Sequence, residues 1–148
     1  YRIRELIMGY RSDVKIVIGC ENEYWLKKFL MHIELAYSDD PLFKEVIDPS
    51  VCRIAERTMY FHHAYMKWYP QYDYVQLHEK LMHDVQDFRG GYTFVRVGEE
   101  EGDVEKRGRE YDCHVRLDDA IMIQTESHFT IDEPDVDEPY ISPNGVTA

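Results

Sequence analysis

The final 32 residues of this 148-residue chain contain no Lys and no Arg. They carry eight carboxylates, and the formal net charge of the whole chain is −12. The acidity is therefore concentrated at one end, which is typical of a segment that binds a basic partner or stays solvated. Because Lys and Arg supply most of the affinity of proteins for phosphates, we do not expect direct nucleic-acid binding.

Cysteine is also scarce in the chain. Cys20, Cys52 and Cys113 are odd in number, widely spaced and free of any CxxC pair. This pattern argues against a disulfide framework and against a structural zinc site. We therefore expect three reduced thiols and, from them, a cytoplasmic location.

Long apolar runs and glycine-rich motifs are absent as well. No stretch of about 18 apolar residues occurs, so we expect no membrane span and no membrane partner. The sequence contains no basic-then-apolar leader, no P-loop, no GxGxxG and no GxSxG. The motifs therefore predict no cofactor and no catalytic residue.

The chain has enough apolar material for a core. Hydrophobic residues make up 44% of it and aromatic residues 14%, which predicts a single globular α+β domain over residues 1–131. The segment after Ile131 combines three prolines with closely spaced acids. That composition predicts an extended acidic arm over residues 132–148.

The N-terminal part opens with a strand and a helix in our prediction. Residues 14–18 (VKIVI) are β-branched and apolar, which indicates a short buried strand. Apolar residues at helical spacing predict a helix over 21–37, with Asn22 as its N-cap. A short helix over 42–47 follows.

Two longer helices are predicted next. Asp48–Pro49 is typical of a helix start, and apolar residues at helical spacing continue to about Tyr69. Another such stripe predicts a helix over 72–88 that ends before Gly90–Gly91. These helices make the N-terminal two-thirds mainly helical.

After the glycine pair the apolar period changes from 3.6 to 2. Strands are predicted over 92–97, 111–117 and 120–125, and the highly charged stretch 99–110 is predicted to be a mobile loop. The predicted fold is therefore three or four helices, with one early strand, packed on a C-terminal three-stranded antiparallel meander.

Histidine and carboxylate occur in an order that resembles the signature of metal-dependent HD-type phosphohydrolases. The residues are His62 on one predicted helix, His83 and Asp84 on the next, and Asp118. The resemblance implies a metal that these side chains hold and that activates a water for attack on phosphate. However, His83 lies opposite the apolar stripe of helix 72–88, which favours solvated histidines and no metal. The metal site is the alternative interpretation.

His78 and two tyrosines complete the candidates. His78 falls within the apolar stripe, so we expect it to be buried and bonded to a carbonyl or a tyrosine. Tyr69 and Tyr72 flank Pro70 at a predicted helix–helix corner, where exposed aromatic rings are typical of an interface.

The leading hypothesis is a non-enzymatic protein that binds or assembles with another protein through a basic surface of that partner. An inhibitor, such as a viral or phage accessory protein, would fit, and so would a structural subunit in a homo- or hetero-oligomer. The predicted partner-binding residues are those of the tyrosine corner and the acidic arm: Tyr69, Tyr72, Asp132, Glu133, Asp135, Asp137 and Glu138.

Overall fold

The computed structural model describes residues 9–109 and, for the backbone alone, residues 122–123 and 131–132. Within these residues the architecture is a twisted antiparallel sheet with helices packed on one face. Strands and helices alternate along the chain, and strands that are far apart in sequence pair in one sheet.

In the described part of the chain the sheet has five strands, and these pair antiparallel throughout. Strand β1 lies at the centre, between β3 and β4, while β2 and β5 form the edges. Two further short strands, β6 and β7, pair with each other. The bounds are β1 Ser12–Cys20, β2 Cys52–Ala55, β3 Thr58–Met66, β4 Gly90–Gly98, β5 Val104–Arg109, β6 Met122–Ile123 and β7 Ile131–Asp132.

The helices are α1 (Glu23–Tyr37), α2 (Phe43–Val46) and α3 (Asp73–Asp84), and α3 continues as a 3-10 turn over Val85–Phe88. The Asn22 side chain accepts the backbone N–H of Trp25 at 3.0 Å, which caps α1 as predicted. No helix in the part of the chain that the structure describes is long and apolar enough to cross a membrane.

The core fills the space between the sheet and its helices. Alternate residues of β1 (Val14, Ile16 and Ile18) face Leu26 and Phe29 of α1, together with apolar residues of α3. The other face of β1 is also buried, since Lys15 and Val17 are both 0% exposed. Burial on both faces explains why the apolar residues of β1 do not alternate strictly with polar ones.

The predicted fold class is wrong. The main element of the described structure is a five-stranded sheet, whereas the sequence predicted a helical N-terminal part packed on a three-stranded meander. The largest error is the helix predicted from Asp48–Pro49 to about Tyr69. Its residues form instead the hairpin of β2 and β3, in which Met59 and Phe61 point into the core.

The Asp48–Pro49 pair starts only a turn. The Asp48 carboxylate accepts the N–H and the hydroxyl of Ser50 at 2.8 and 2.6 Å. The chain then enters β2, because Phe61 pairs with Cys52 on one side and with Ile16 on the other. Pairing with two strands overrides the local helical spacing.

The stretch 99–110 was also predicted wrongly. Instead of a mobile loop, residues 99–109 form a tight turn followed by β5, which pairs with β4 from Tyr92↔Arg109 to Val97↔Val104. The predictions of a strand at 14–18, helices at 21–37 and 42–47 and a strand at 92–97 are confirmed, and helix 72–88 is confirmed as α3 with its 3-10 extension. Of the strand predicted at 120–125, residues 122–123 are a strand. The strand predicted at 111–117 lies outside the described residues.

Candidate functional site

A cleft of about 640 Å³ opens between the chain segment that enters α3 and the turn that joins β4 to β5. We call it the aromatic–acidic cleft. The aromatic wall of the cleft consists of Tyr10, Trp68 and Tyr69, with Pro70 beside them. The acidic side consists of Glu100, Glu101, Asp103 and Glu105. The remaining lining residues are Ser12, Arg96 and Gly102.

Arg96 organises the acidic side of the cleft. Its Nη2 and Nη1 donate to the two carboxylate oxygens of Asp103 at 2.8 and 3.2 Å. Its Nε donates to Glu105 at 3.2 Å, and its Nη1 also donates to the Ser12 hydroxyl at 3.0 Å. A guanidinium with this many bonds is rigid, so the turn between β4 and β5 is held in one position.

Tyr10 fastens the same turn from the opposite side. Its hydroxyl donates to Asp103 at 2.5 Å and accepts the backbone N–H of Glu100 at 3.0 Å. Its own backbone N–H donates to the Tyr69 hydroxyl at 2.7 Å, which connects the acidic turn to the aromatic wall. Burial, together with the bond to Asp103, raises the pKa of Tyr10 to about 12, so the hydroxyl keeps its proton.

The cleft has a negative electrostatic field. Among the described residues that line it are four carboxylates and one arginine, which together carry a formal charge of −3. The hydrogen bonds from Arg96 hold the pKa of Asp103 below its ordinary value, which keeps that carboxylate ionised. Glu101 is exposed at the turn, and no cation in residues 9–109 reaches it within salt-bridge distance. The cleft therefore favours a cationic ligand.

A buried histidine pair supports the aromatic wall. The Trp68 ring lies 5.3 Å from the His63 ring, nearly parallel to it, and 5.0 Å from the His78 ring. The two imidazoles are joined by their Nε2 atoms, which are 3.1 Å apart. His78 was expected to be buried and bonded to a carbonyl, and this prediction is confirmed, since its Nδ1 lies 2.8 Å from the carbonyl oxygen of Tyr74.

The bonds of this pair define its protonation. Because His78 donates from Nδ1 to a carbonyl, a neutral His78 must accept at Nε2, and His63 must donate from its own Nε2. Burial, with smaller effects of His78 and His62, lowers the pKa of His63 to about 3. Burial also lowers the pKa of His78 to about 4. Both rings are therefore neutral at physiological pH.

The tyrosine corner separates two clefts. The Tyr69 and Tyr72 rings are 5.1 Å apart, with Tyr69 lining the aromatic–acidic cleft and Tyr72 lining a second one of about 680 Å³. The corner joins a strand to a helix, so the predicted helix–helix corner is wrong. Tyr72 is 40% exposed, in agreement with the expectation of an exposed ring at this place.

The described residues of the alternative metal site do not form a cluster. His62 lies on β3 rather than on a helix, and His83 is exposed on α3. Asp84 binds residues of α1: it accepts from the Tyr37 hydroxyl and lies 3.0 Å from His32 Nε2. Within the described ranges, no three His, Cys, Asp or Glu side chains are grouped so as to hold a metal ion.

Most of the predicted arm residues belong to the part of the chain outside the description. Asp118 and Cys113 lie outside the described residues, as do the arm residues Glu133, Asp135, Asp137 and Glu138. Asp132 belongs to β7, where it pairs with Met122. Cys20 and Cys52 are free and buried, and burial raises the pKa of each thiol to about 12.

The sequence analysis named Tyr69 as a candidate but did not name the other residues that line the cleft. Tyr10, Arg96 and Asp103 come from separate elements, and only the acidic run EEEGD at 99–103 was a local signal. Comparison of the chain with models of protein families, with curated proteins and with solved structures gave no match. The geometry of the cleft is therefore the basis for assigning a function.

Proposed function

We propose that this chain is a non-enzymatic binding protein that holds a basic segment of a partner protein in the aromatic–acidic cleft. The composition of the cleft carries the proposal, since its lining within residues 9–109 combines aromatic rings with four carboxylates and one arginine. Cationic side chains are attracted both to aromatic ring faces and to carboxylates. A ligand of this chemistry would satisfy both sides of the cleft.

The rigidity of the cleft supports a role in binding. Arg96 and Tyr10 fix the acidic turn, and the Tyr69 hydroxyl links the turn to the aromatic wall. A site that is already ordered loses little conformational entropy when a ligand enters. The same bonds keep the carboxylates close together in spite of their mutual repulsion.

The acidic arm gives the partner a second contact in this proposal. Its carboxylates add negative charge at one end of the chain, and such charge attracts a basic surface and speeds its association. Occupation of a basic surface that normally holds nucleic acid would make the protein an inhibitor. Attachment to a basic surface of a neighbouring subunit would make it an assembly protein.

A capture experiment with charge-reversed variants tests the proposal. The intact chain, Glu101→Lys and the control Glu34→Lys are immobilised and exposed to lysate of the source cells, and captured proteins are identified by mass spectrometry. Both substituted residues are exposed glutamates, but only Glu101 lines the cleft. We expect a basic protein that the intact chain and Glu34→Lys retain and that Glu101→Lys loses. Equal capture by all three would refute the proposal.

The contribution of the arm is tested separately on the same partner. A variant with Glu133→Gln, Asp135→Asn, Asp137→Asn and Glu138→Gln keeps the length of the chain but removes four charges. We expect its affinity for the captured partner to fall several-fold, with a weaker dependence on salt concentration. An unchanged affinity would show that the arm takes no part in binding.

A further inference from the structure

We infer that the cleft receives an arginine side chain in preference to a lysine side chain. This inference rests on the proposed function, because it specifies the cation that the basic partner contributes. A guanidinium is planar, so it can stack on an aromatic ring while its edge donates to a carboxylate. An ammonium is a compact, strongly hydrated charge that does not match a flat ring in this way.

The cleft contains both a ring on which a guanidinium can stack and a carboxylate to which its N–H groups can donate. Tyr69 contributes a partly exposed ring on one side, and Glu101 contributes an exposed carboxylate on the other. Trp68 is only 7% exposed, so it presents a small part of its ring beside Tyr69. Asp103 and Glu105 already accept bonds from Arg96, whereas no cation within residues 9–109 lies within salt-bridge distance of Glu101.

The protein uses the same arrangement within its own fold. The Arg107 guanidinium lies 4.3 Å from the centre of the Phe94 ring. Its two terminal nitrogens donate to the two oxygens of Glu79 at 3.2 and 2.6 Å. One arginine therefore stacks on a ring and pairs with a carboxylate at the same time.

A second arginine repeats the pattern at the protein surface, and the lysines do not. Arg89 lies 5.1 Å from the Trp25 ring and donates to Glu21 at 3.4 Å. Lys28 and Lys80 lie farther from their rings, at 5.5 and 6.0 Å. Within residues 9–109, neither of these lysines has a carboxylate within salt-bridge distance. In these examples, therefore, arginine and not lysine combines a ring contact with a bond to a carboxylate.

Short peptides test the inference on the full chain. The probes are three acetylated and amidated pentapeptides, Gly-X-Gly-X-Gly, in which X is arginine, lysine or the neutral isostere citrulline. The chain has two tryptophans, so Trp25→Phe leaves Trp68 in the cleft as the sole fluorescence reporter. Isothermal titration calorimetry on the unsubstituted chain gives a second readout that does not depend on Trp68.

We expect the arginine peptide to bind about five-fold or more tightly than the lysine peptide, with no binding of the citrulline peptide. Glu101→Gln should weaken the arginine peptide, whereas the matched control Glu34→Gln should not. Equal binding of the arginine and lysine peptides would overturn the inference. It would leave the cleft as a site for cations in general.

Absence of binding by both readouts would also overturn the inference. The proposed function would then depend on the capture experiment alone. A captured protein that is lost with Glu101→Lys would support that function even if no peptide binds. If Glu101→Lys captured the partner as well as the intact chain does, both the proposed function and the preference for arginine would be refuted.

Discussion

The imidazoles of His63 and His78 face each other in the core, with their Nε2 atoms 3.1 Å apart, directly behind the aromatic wall of the cleft. The contact joins strand β3 to helix α3. Both residues are buried, at 3% and 1% exposure, so each needs the hydrogen bond that the other supplies. The stability of the fold and the position of Trp68 are therefore connected through one polar contact.

The free energy of unfolding should fall as the pH is lowered below about 6.5. In the unfolded chain both histidines have a pKa near 6.5 and take up protons, whereas in the folded chain their pKa values are about 3 and 4. The contribution of the two neutral histidines to the free energy of unfolding is therefore complete above about pH 6.5. It decreases as the pH falls from about 6.5 towards the pKa values of the folded chain. The slope should approach about 1.4 kcal/mol per pH unit for each histidine.

Urea unfolding at about pH 7.5 and about pH 5 measures this loss. The double variant His63→Leu/His78→Leu serves as the control and should lose much less stability over the same interval. Equal stability of the unsubstituted chain at the two pH values would contradict the prediction.

Replacement of one histidine should cost more than half of the cost of replacing both. His78→Leu leaves the Nε2–H of His63 buried without an acceptor, and His63→Leu leaves the Nε2 of His78 without a donor. Each single change should destabilise the fold by about 1–3 kcal/mol. A double-mutant cycle by urea unfolding measures the coupling, and strictly additive effects would show that the contact contributes nothing.

Gly98→Ala should disturb the acidic turn. A Cβ at this position would meet Asp103 Oδ2 at 2.0 Å and the Tyr10 hydroxyl at 2.4 Å, so the bond between these two groups has to break or shift. Overpacking of this kind costs about 1–3 kcal/mol, and we expect cation binding in the cleft to weaken as well.

Gly108→Ala on β5 is the matched control for this change, because Gly108 is not among the residues that line the cleft. Its Cβ would come no closer than 3.2 Å to the Tyr92 carbonyl oxygen, so no bond of the acidic turn has to break. We expect it to cost less stability than Gly98→Ala and to leave Asp103 in place. Calorimetric titration of the arginine peptide separates the two, and a Gly98→Ala protein with unchanged binding would contradict the assigned role of the turn.

Asp84→Ala should destabilise the fold, whereas His83→Ala should not. Asp84 ties α3 to His32 and Tyr37 of α1, so its removal should cost about 1–3 kcal/mol. His83 is exposed, and its removal should change the free energy of unfolding by less than about 0.5 kcal/mol. Metal analysis of both variants distinguishes this account from the HD-type alternative, in which His83→Ala would lose a bound metal.

Elements with one dominant pattern could be predicted from the sequence. The apolar run of β1 and the helical stripes of α1 and α3 each allow only one interpretation. The segment of β2 and β3 allows two, since Ile54, Phe61 and Trp68 are spaced as on a helix while Met59 and Phe61 alternate as on a strand. The pairing Ile16↔Phe61 decides between them, and it depends on a residue far away in the chain.

The candidate site could be predicted only in part for a similar reason. Tyr69 belongs to a local cluster of aromatic residues, so its neighbourhood was recognisable. Tyr10 and Asp103 are 93 residues apart in sequence, and no local pattern indicates that they bind each other. A site assembled from long-range contacts becomes visible only when the strand order is known.

The affinity of the captured partner for the chain with and without Glu101→Lys is the most direct test of the central claim. The measurement is made by calorimetry at two salt concentrations, with Glu34→Lys as the control. The account predicts that Glu101→Lys lowers the affinity at least ten-fold, roughly 1.4 kcal/mol, and that the loss shrinks at high salt. An affinity unchanged by Glu101→Lys would show that the partner binds elsewhere and that the cleft is not the functional site.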